Sequence, residues 1–398
     1  MRRKIPAVML AVLMGVCALG LTGCAAKEKI KYQTTFLNLF DTVTSITGYE
    51  ESEEAFNRTA ARIHDEMEAY DHLYDIYHEY PDTVNLCTVN RRAGETVTVD
   101  RRIMDLLVFA RQVDEFSGHR TNAMFGAVLR EWHEAREYGI SSPENAYLPD
   151  GEKLRAAEKH TGFDLIEMDE ESCTVRITDP EASLDVGALA KGYAVQKVSE
   201  TLPEGYLLSV GGNVVATGPK PDGSLWTIGV ADPEKNGETY LQKVGIGKGT
   251  VVTSGDYQRY YVVDGTRYSH IIDPETLYPG TKWRGVTVIC DDSGLGDALS
   301  TSLFLLDRET GQELLNRFGA KAMWIDADGK LLFSDGYERM GMDHEEDITG
   351  LGCTDSHLHR GGRAAGWNQP DDQGRDRGKR QPGHDGNLRK ATSGCRQL

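Results

Sequence analysis

The chain has 398 residues, of which 39% are hydrophobic and 27% charged, so it can build one large core or two domains and is not a disordered polymer. Its formal net charge of -18 argues against nucleic acid as the main partner, because phosphate repels such a surface. The same charge is compatible with a globular body held near a membrane.

In chain order, the first element is a targeting segment. Arg2, Arg3 and Lys4 precede an apolar run over 7–21 that is shorter than the ~18 residues of a spanning helix. Basic start, short apolar stretch and small residues at the break mark a secretory signal over 1–23. The ending Leu21-Thr22-Gly23-Cys24 resembles a bacterial lipobox. That resemblance implies lipidation of Cys24, a linker over 24–34, and a protein anchored to a membrane without a spanning helix. Of the other cysteines, Cys87, Cys173, Cys290, Cys353 and Cys395 are far apart, with no C-x-x-C pair, which fits neither a disulfide framework nor a zinc site.

Residues 36–48 read as a first strand. Phe56, Ala60, Ile63, Met67 and Tyr70 recur at three- and four-residue spacing and predict an amphipathic helix over 53–73. Ile103, Leu106, Leu107, Ala110 and Val113 predict another over 101–116. A third covers 127–137 and ends at Gly139. Short β-branched or aromatic runs at 173–177, 206–210, 226–230, 250–254, 259–263 and 286–290 predict strands. Helices are expected over 185–202 and 297–306. The fold class is therefore α+β, with mixed or antiparallel sheets and helices packed on one face. From 346 to 398 the chain has few large apolar residues and turns basic, so a disordered tail is expected, whether a natural extension or a frame-altered end. Cys353, His357 and His359 within it are an incidental cluster or weak metal ligands.

Four segments carry residue types suited to chemistry. Asp185-Val-Gly-Ala-Leu-Ala-Lys191-Gly192 puts a carboxylate where a helix should begin, as a cap or as a ligand. Its two glycines each cost ~1 kcal/mol in a helix, so something approaches the backbone closely. Ser209-Val-Gly211-Gly212-Asn213 follows a strand and either exposes N–H groups to a ligand or turns a hairpin. The stretch from Thr253 to Asp273 concentrates hydroxyls, Arg259, His270 and Asp273, with His270 as an acid, base or phosphate ligand or as a hydrogen-bonded hairpin residue. Asp297 and Thr301 stand at i and i+4, so a helix presents a carboxylate and a hydroxyl on one face. These hard oxygen donors suit Mg2+ rather than zinc, although Asp297 could equally cap a helix. Together the four segments fit phosphoryl transfer.

Leu184-Asp-Val-Gly-Ala-Leu-Ala-Lys-Gly-Tyr193, Leu208-Ser-Val-Gly-Gly-Asn213, Val252-Thr-Ser-Gly-Asp256, His270-Ile-Ile-Asp-Pro274 and Asp297-Ala-Leu-Ser-Thr301, in this order, resemble the signature segments of the ApbE family of FAD:protein FMN transferases. The resemblance covers roughly 36–340. It implies a flavin transferase domain over 35–345 with a T-fold-related architecture. It also implies Mg2+ held by the Ala188 carbonyl, Asp297 and Thr301 with Ser300 nearby, and FAD as substrate contacting Asp185, Lys191 and Ile271 beside His270. Gly211, Gly212 and Asn213 join the FAD-binding set. Phe40 stands where the family often has Met-Gly-Thr, Tyr77 matches a flavin-contacting aromatic, and Arg120-Thr121-Asn122 falls where many members read Ala-Phe-Asp. The implied reaction passes FMN to a Thr or Ser of an acceptor protein and releases AMP, with His270 or Asp273 taking the proton and Lys191 assisting. Water in place of the acceptor would make an FAD pyrophosphatase, and a second alternative is a non-catalytic FAD-binding lipoprotein that stores or delivers FAD. The acceptor pattern Asp-x-x-Ser/Thr-Gly-Ala-Ser/Thr does not occur in this chain. The expected partner is therefore another protein, a subunit of a membrane redox complex on the extracytoplasmic face of a bacterial membrane.

Overall fold

The computed structural model describes residues 28–235 and 239–337, which fall within one unit. The expected signal over 1–23, Cys24 and the 346–398 tail with its Cys353, His357 and His359 lie outside the described residues.

The strands are β1 (Ile30–Leu39), β2 (Thr42–Glu50), β3 (Val97–Thr98), β4 (Ile166–Asp169), β5 (Thr174–Ile177), β6 (Tyr206–Val210), β7 (Asn213–Ala216), β8 (Trp226–Ala231), β9 (Tyr240–Ile246), β10 (Gly249–Gly255), β11 (Tyr260–Val263), β12 (Thr266–Ser269), β13 (Trp283–Cys290), β14 (Lys321–Asp326) and β15 (Leu331–Phe333). The helices are α1 (Glu53–Tyr74), α2 (Leu86–Arg91), α3 (Arg101–Phe116), α4 (Gly126–Ser141), α5 (Gly151–Glu158), α6 (Ala190–Ser199), α7 (Ser293–Leu305) and α8 (Arg308–Phe318). Among the described residues no helix is long and apolar enough to cross a membrane.

One eight-stranded antiparallel sheet, ordered β1-β2-β6-β7-β10-β13-β14-β15, organises the molecule. Side chains alternate across it, as strand geometry requires. Val288 joins the core beneath α7 with Leu299 and Leu303, whereas its neighbour Ile289 packs on the opposite face with Trp226, Val230 and Val244. Helices α1, α6 and α7 thus cover one face, as the sequence predicts, and the β8–β9 hairpin covers the other. Three of the long helices carry a side-chain cap, α4 being the exception: Ser52 Oγ accepts from Ala55 N, Asp100 Oδ1 from Arg102 N, and Asp292 Oδ1 from Leu295 N.

Several expected boundaries move. The strand expected over 36–48 is a hairpin of β1 and β2, turning at Phe40 and Asp41 with φ of 52° and 53°. β1 begins at Ile30, so the expected linker ends there; Tyr32 stacks on Phe56 of α1 at 5.6 Å and fixes this part of the strand. Gly139 lies inside α4 rather than ending it, because Tyr261 packs where its side chain would be. The helix expected from Asp185 begins at Ala190, after an open turn. The helix expected from Asp297 begins at Ser293, so Asp292 is the cap and Asp297 stands within α7.

Candidate active site

Asp297 is 4% exposed and projects from α7 toward the start of α6. Its Oδ2 accepts the Gly192 N–H at 2.8 Å, and the Lys191 ammonium lies 3.3 Å away. Lys191 Nζ also donates to Asn213 Oδ1 at 3.1 Å. The 185–192 and 297–301 stretches, more than a hundred residues apart, therefore share one site, with the β6–β7 turn beside them. That turn is the hairpin alternative: Gly211 and Gly212 have φ of 47° and 94° and join Val210 to its partner Asn213. Gly211 allows Thr42 of the β1–β2 hairpin to lie against the backbone, since an added Cβ would stand 2.6 Å from Thr42 Oγ1.

The donor chemistry fits a hard cation. In an unbroken helix the Gly192 N–H would bond to the Ala188 carbonyl. Here it turns to Asp297, and among the described residues nothing donates to that carbonyl. A carboxylate, the Thr301 hydroxyl one turn along α7, and an open carbonyl form an all-oxygen set suited to Mg2+. Among the described residues no group of three or more His, Cys, Asp or Glu is placed to hold a metal. Ser300, expected near the metal, is fully buried and its hydroxyl is committed to Ser254 Oγ at 2.8 Å and to the Asp297 carbonyl at 3.0 Å. It ties α7 to β10 instead, because position i+3 from Asp297 faces the sheet.

Around this core lies a mixed ring of charge. Asp185 Oδ1 accepts the Gly187 N–H at 2.9 Å, so it braces the turn before α6 rather than capping the helix. Burial pushes its carboxyl above the usual range, against the pull of Gly187, His133, Arg259 and Arg136. Tyr77 stacks on His133 at 4.8 Å, and His133 Nδ1 contacts Arg136 at 3.0 Å. Burial of Asp75 opposes its ionisation, yet the Tyr77 and His78 N–H groups and the Tyr80 hydroxyl hold its carboxyl low and fix the loop that presents Tyr77.

His270 Nδ1 lies 3.0 Å from the Arg259 carbonyl, which can only accept. The proton therefore sits on Nδ1 and Nε2 keeps its lone pair. Burial first, then Arg259, Arg136 and Lys191, push this imidazole down to about 3. Asp273, expected as a catalytic acid or base, does not share that setting. Its Oδ1 binds Arg120 Nη1 at 2.9 Å and accepts the Glu275 N–H at 3.0 Å, so it is an ion-pair and turn residue. Ile271 is buried and its carbonyl accepts from Gly280 N. Arg120, Thr121 and Asn122, expected as FAD contacts, are engaged within the protein: Arg120 with Asp273 and Glu275, Thr121 Oγ1 with Ser302 Oγ at 2.7 Å, and Asn122 Oδ1 with Met124 N at 2.7 Å.

Phe40 sits at the hairpin tip, with its N–H close enough to Asp71 to favour the ionised carboxylate. Burial, reinforced by Asp41 and Asp75, pushes the Asp71 carboxyl up to about 6 against the pull of that N–H and of His72. A folded-state value above the unfolded 3.8 means this group's stabilisation is complete below pH 3.8 and lost as pH rises through 6. Asp71→Asn keeps an acceptor for Phe40 without the charge. It is expected to stabilise the protein by about 1 kcal/mol at pH 8 and to leave it unchanged near pH 4. Thermal midpoints at the two pH values check this.

Sequence reading missed His133, Arg136 and Asp71. His133 and Arg136 look like ordinary polar positions of an amphipathic helix, and only the packing of α4 beside Tyr77 brings them to the site.

The ApbE family model matches residues 40–324. The chain is 33% identical over 261 residues to an FAD:protein FMN transferase of Klebsiella pneumoniae, covering 62% of this chain and 78% of that protein. It is 29% identical over 346 residues to one of Treponema pallidum, covering 81% and 92%. Among solved structures, the ApbE protein of Thermotoga maritima aligns with a TM-score of 0.70 at 27% identity, over 79% of this chain and all of that one. The flavin transferase ApbE of Vibrio cholerae shares the fold, with a TM-score of 0.66 at 22% identity over 78% and 99% of the two chains.

Proposed function

This chain belongs to the ApbE family, and from that premise we propose that it moves the FMN half of FAD onto a Thr or Ser hydroxyl of an acceptor protein, with Mg2+ and with release of AMP. At the coarser level it is a transferase, an FAD:protein FMN transferase like its curated relatives. One observation carries the finer reading: Asp297, one helical turn before Thr301, meets the Gly192 N–H and the Lys191 ammonium, and Lys191 lies close enough to His270 to depress its imidazole.

Asp297, Thr301 and the Ala188 carbonyl would hold the metal, which when bound neutralises charge on the bridging phosphates. Lys191 adds a second positive charge at the same place, from an ammonium already oriented by Asn213. The acceptor hydroxyl oxygen forms a bond to the FMN-side phosphorus. The bond from that phosphorus to the bridging oxygen breaks, and AMP leaves with that oxygen. His270 Nε2 takes the hydroxyl proton. In the free protein burial first, then Arg259, Arg136 and Lys191, hold this imidazole low. An anionic substrate among those cations offsets their share of the depression and raises its basicity, while the share from burial remains.

The expected result with FAD, Mg2+ and an acceptor domain bearing an Asp-x-x-Thr-Gly-Ala-Thr segment is an acceptor heavier by FMN, with matching AMP. Rapid AMP release without acceptor would instead identify a hydrolase. His270→Ala is expected to lower kcat by about 100-fold or more. The acidic limb of kcat/KM, which reports the free enzyme, is expected at lower pH than that of kcat. A wild-type kcat in His270→Ala would remove His270 from the mechanism.

The lipobox-like ending at Cys24 supports a lipid anchor on the extracytoplasmic face of the membrane, with the acceptor a subunit of a membrane redox complex there. Labelled palmitate incorporated by the wild type and not by Cys24→Ser is the expected outcome; equal labelling refutes the anchor.

A further inference from the structure

The segment from Arg120 to Ala123 touches all three parts of the site. Thr121 Oγ1 bonds to Ser302 Oγ at 2.7 Å, on α7 beside Thr301. The Ala123 carbonyl accepts the Asp185 N–H at 2.8 Å, at the turn before α6. Arg120 reaches across 153 residues of sequence to Asp273 Oδ1 at 2.9 Å and also engages Glu275.

The His270 arm that Arg120 grips is internally braced. Gly280 N donates to the Ile271 carbonyl, Asp273 N to the Tyr278 carbonyl, and Leu277 N to the Asp273 carbonyl. Such an arm moves as one piece, so its attachments to the body set where His270 stands. Trp132 Nε1 holds the far end through the Leu277 carbonyl at 2.9 Å. Arg120 holds the near end, three residues from His270. The pair is largely withdrawn from water, with side-chain exposures of 16% and 13%, so it is screened far less than a surface ion pair.

We propose that Arg120 is a positioning residue for the transfer reaction: through its fork onto Asp273 and Glu275 it locks the His270 arm in register with the Asp185 turn and the Asp297 helix. Arg120 itself need not touch FAD. The inference rests on the reading of His270 as the group that takes the acceptor proton. A planar guanidinium suits the task because it binds two carboxylates at a fixed angle, which an ammonium does not.

The test uses the full chain with FAD, Mg2+ and the acceptor domain, and measures kcat and KM for FAD in Arg120→Ala, Arg120→Lys, Asp273→Asn and the Arg120→Ala/Asp273→Asn double variant. Misplacing a reacting group by about 1 Å costs on the order of 100-fold, so kcat is expected to fall about 10- to 100-fold in Arg120→Ala with little change in KM. Arg120→Lys is expected to recover part of the rate, and the double variant to be no worse than the poorer single. If Arg120→Ala does not fold, Arg120→Lys and Asp273→Asn carry the comparison. An unchanged kcat in a folded variant overturns the proposal. A raised KM at unchanged kcat does so too, by making Arg120 a direct FAD contact, as do additive losses. His270→Ala in the same assay separates the two readings. An impaired His270→Ala beside a normal Arg120→Ala sinks the lock alone, whereas a wild-type rate in His270→Ala sinks the base.

Discussion

Asp297→Asn is expected to abolish most FMN transfer, by about 1000-fold or more, while leaving the chain folded. The side chain has two duties that this substitution separates. As an acceptor it receives the Gly192 N–H at 2.8 Å, and the Asn carbonyl oxygen can still do so. As a charge it pairs with Lys191 and supplies the one carboxylate of the proposed metal set. Losing the charge leaves only neutral oxygens from Thr301 and Ala188, too weak a set to retain Mg2+ against water. Removing an electrostatic stabiliser from a water-poor site typically costs 100- to 1000-fold in kcat, and loss of the metal adds to that. A Mg2+ titration of transfer checks this: the variant is expected to need far more metal and to reach a lower plateau. Asp297→Ala should be less stable as well, because it strands the Gly192 N–H and removes the carboxylate partner of Lys191, leaving the ammonium only its bond to Asn213. Wild-type transfer by Asp297→Asn at low Mg2+ would remove Asp297 from the metal site.

The sequence made the chemistry legible earlier than the geometry. Asp297 and Thr301 announce themselves by spacing alone, since i and i+4 share a face wherever the helix begins. Where α7 begins was not legible. The turn before Asp297 holds Gly294 and Gly296, poor helix formers, yet a Cβ on Gly296 would stand 2.8 Å from Val252, so that glycine serves close packing on β10. The same confusion placed a helix start at Asp185, where the chain instead makes a turn braced by the carboxylate. The β1–β2 hairpin hid for the opposite reason. Its turn residues, Phe40 and Asp41, include none of the usual glycine or asparagine signals, and the left-handed backbone is imposed by strand pairing on both sides and by Asp71 on the Phe40 N–H. The Arg120–Asp273 lock was out of reach altogether, because an ion pair across 153 residues leaves no local pattern.

Gly192→Ala is expected to damage both fold and activity, and more severely than its chemistry suggests. A methyl group there would lie 2.5 Å from Asp297 Cβ and closer still to the Ser293 carbonyl. Neither neighbour can yield easily: Ser293 belongs to the first turn of α7, whose N–H is held by Gln196 of α6 at 2.8 Å. The two helices must therefore separate, at a cost of about 3 kcal/mol or more, the upper range for overpacking a tight interface. Separation also lengthens the Gly192 N–H contact to Asp297. That N–H can then return to the Ala188 carbonyl, closing the oxygen that the proposed metal site leaves open. The substitution should thus lower the thermal midpoint and raise the Mg2+ requirement together, whereas a purely structural glycine would lower the midpoint alone. Measuring both on one preparation distinguishes the cases. A variant with a depressed midpoint and an unchanged Mg2+ dependence would show that the diverted backbone bond has no part in holding the metal.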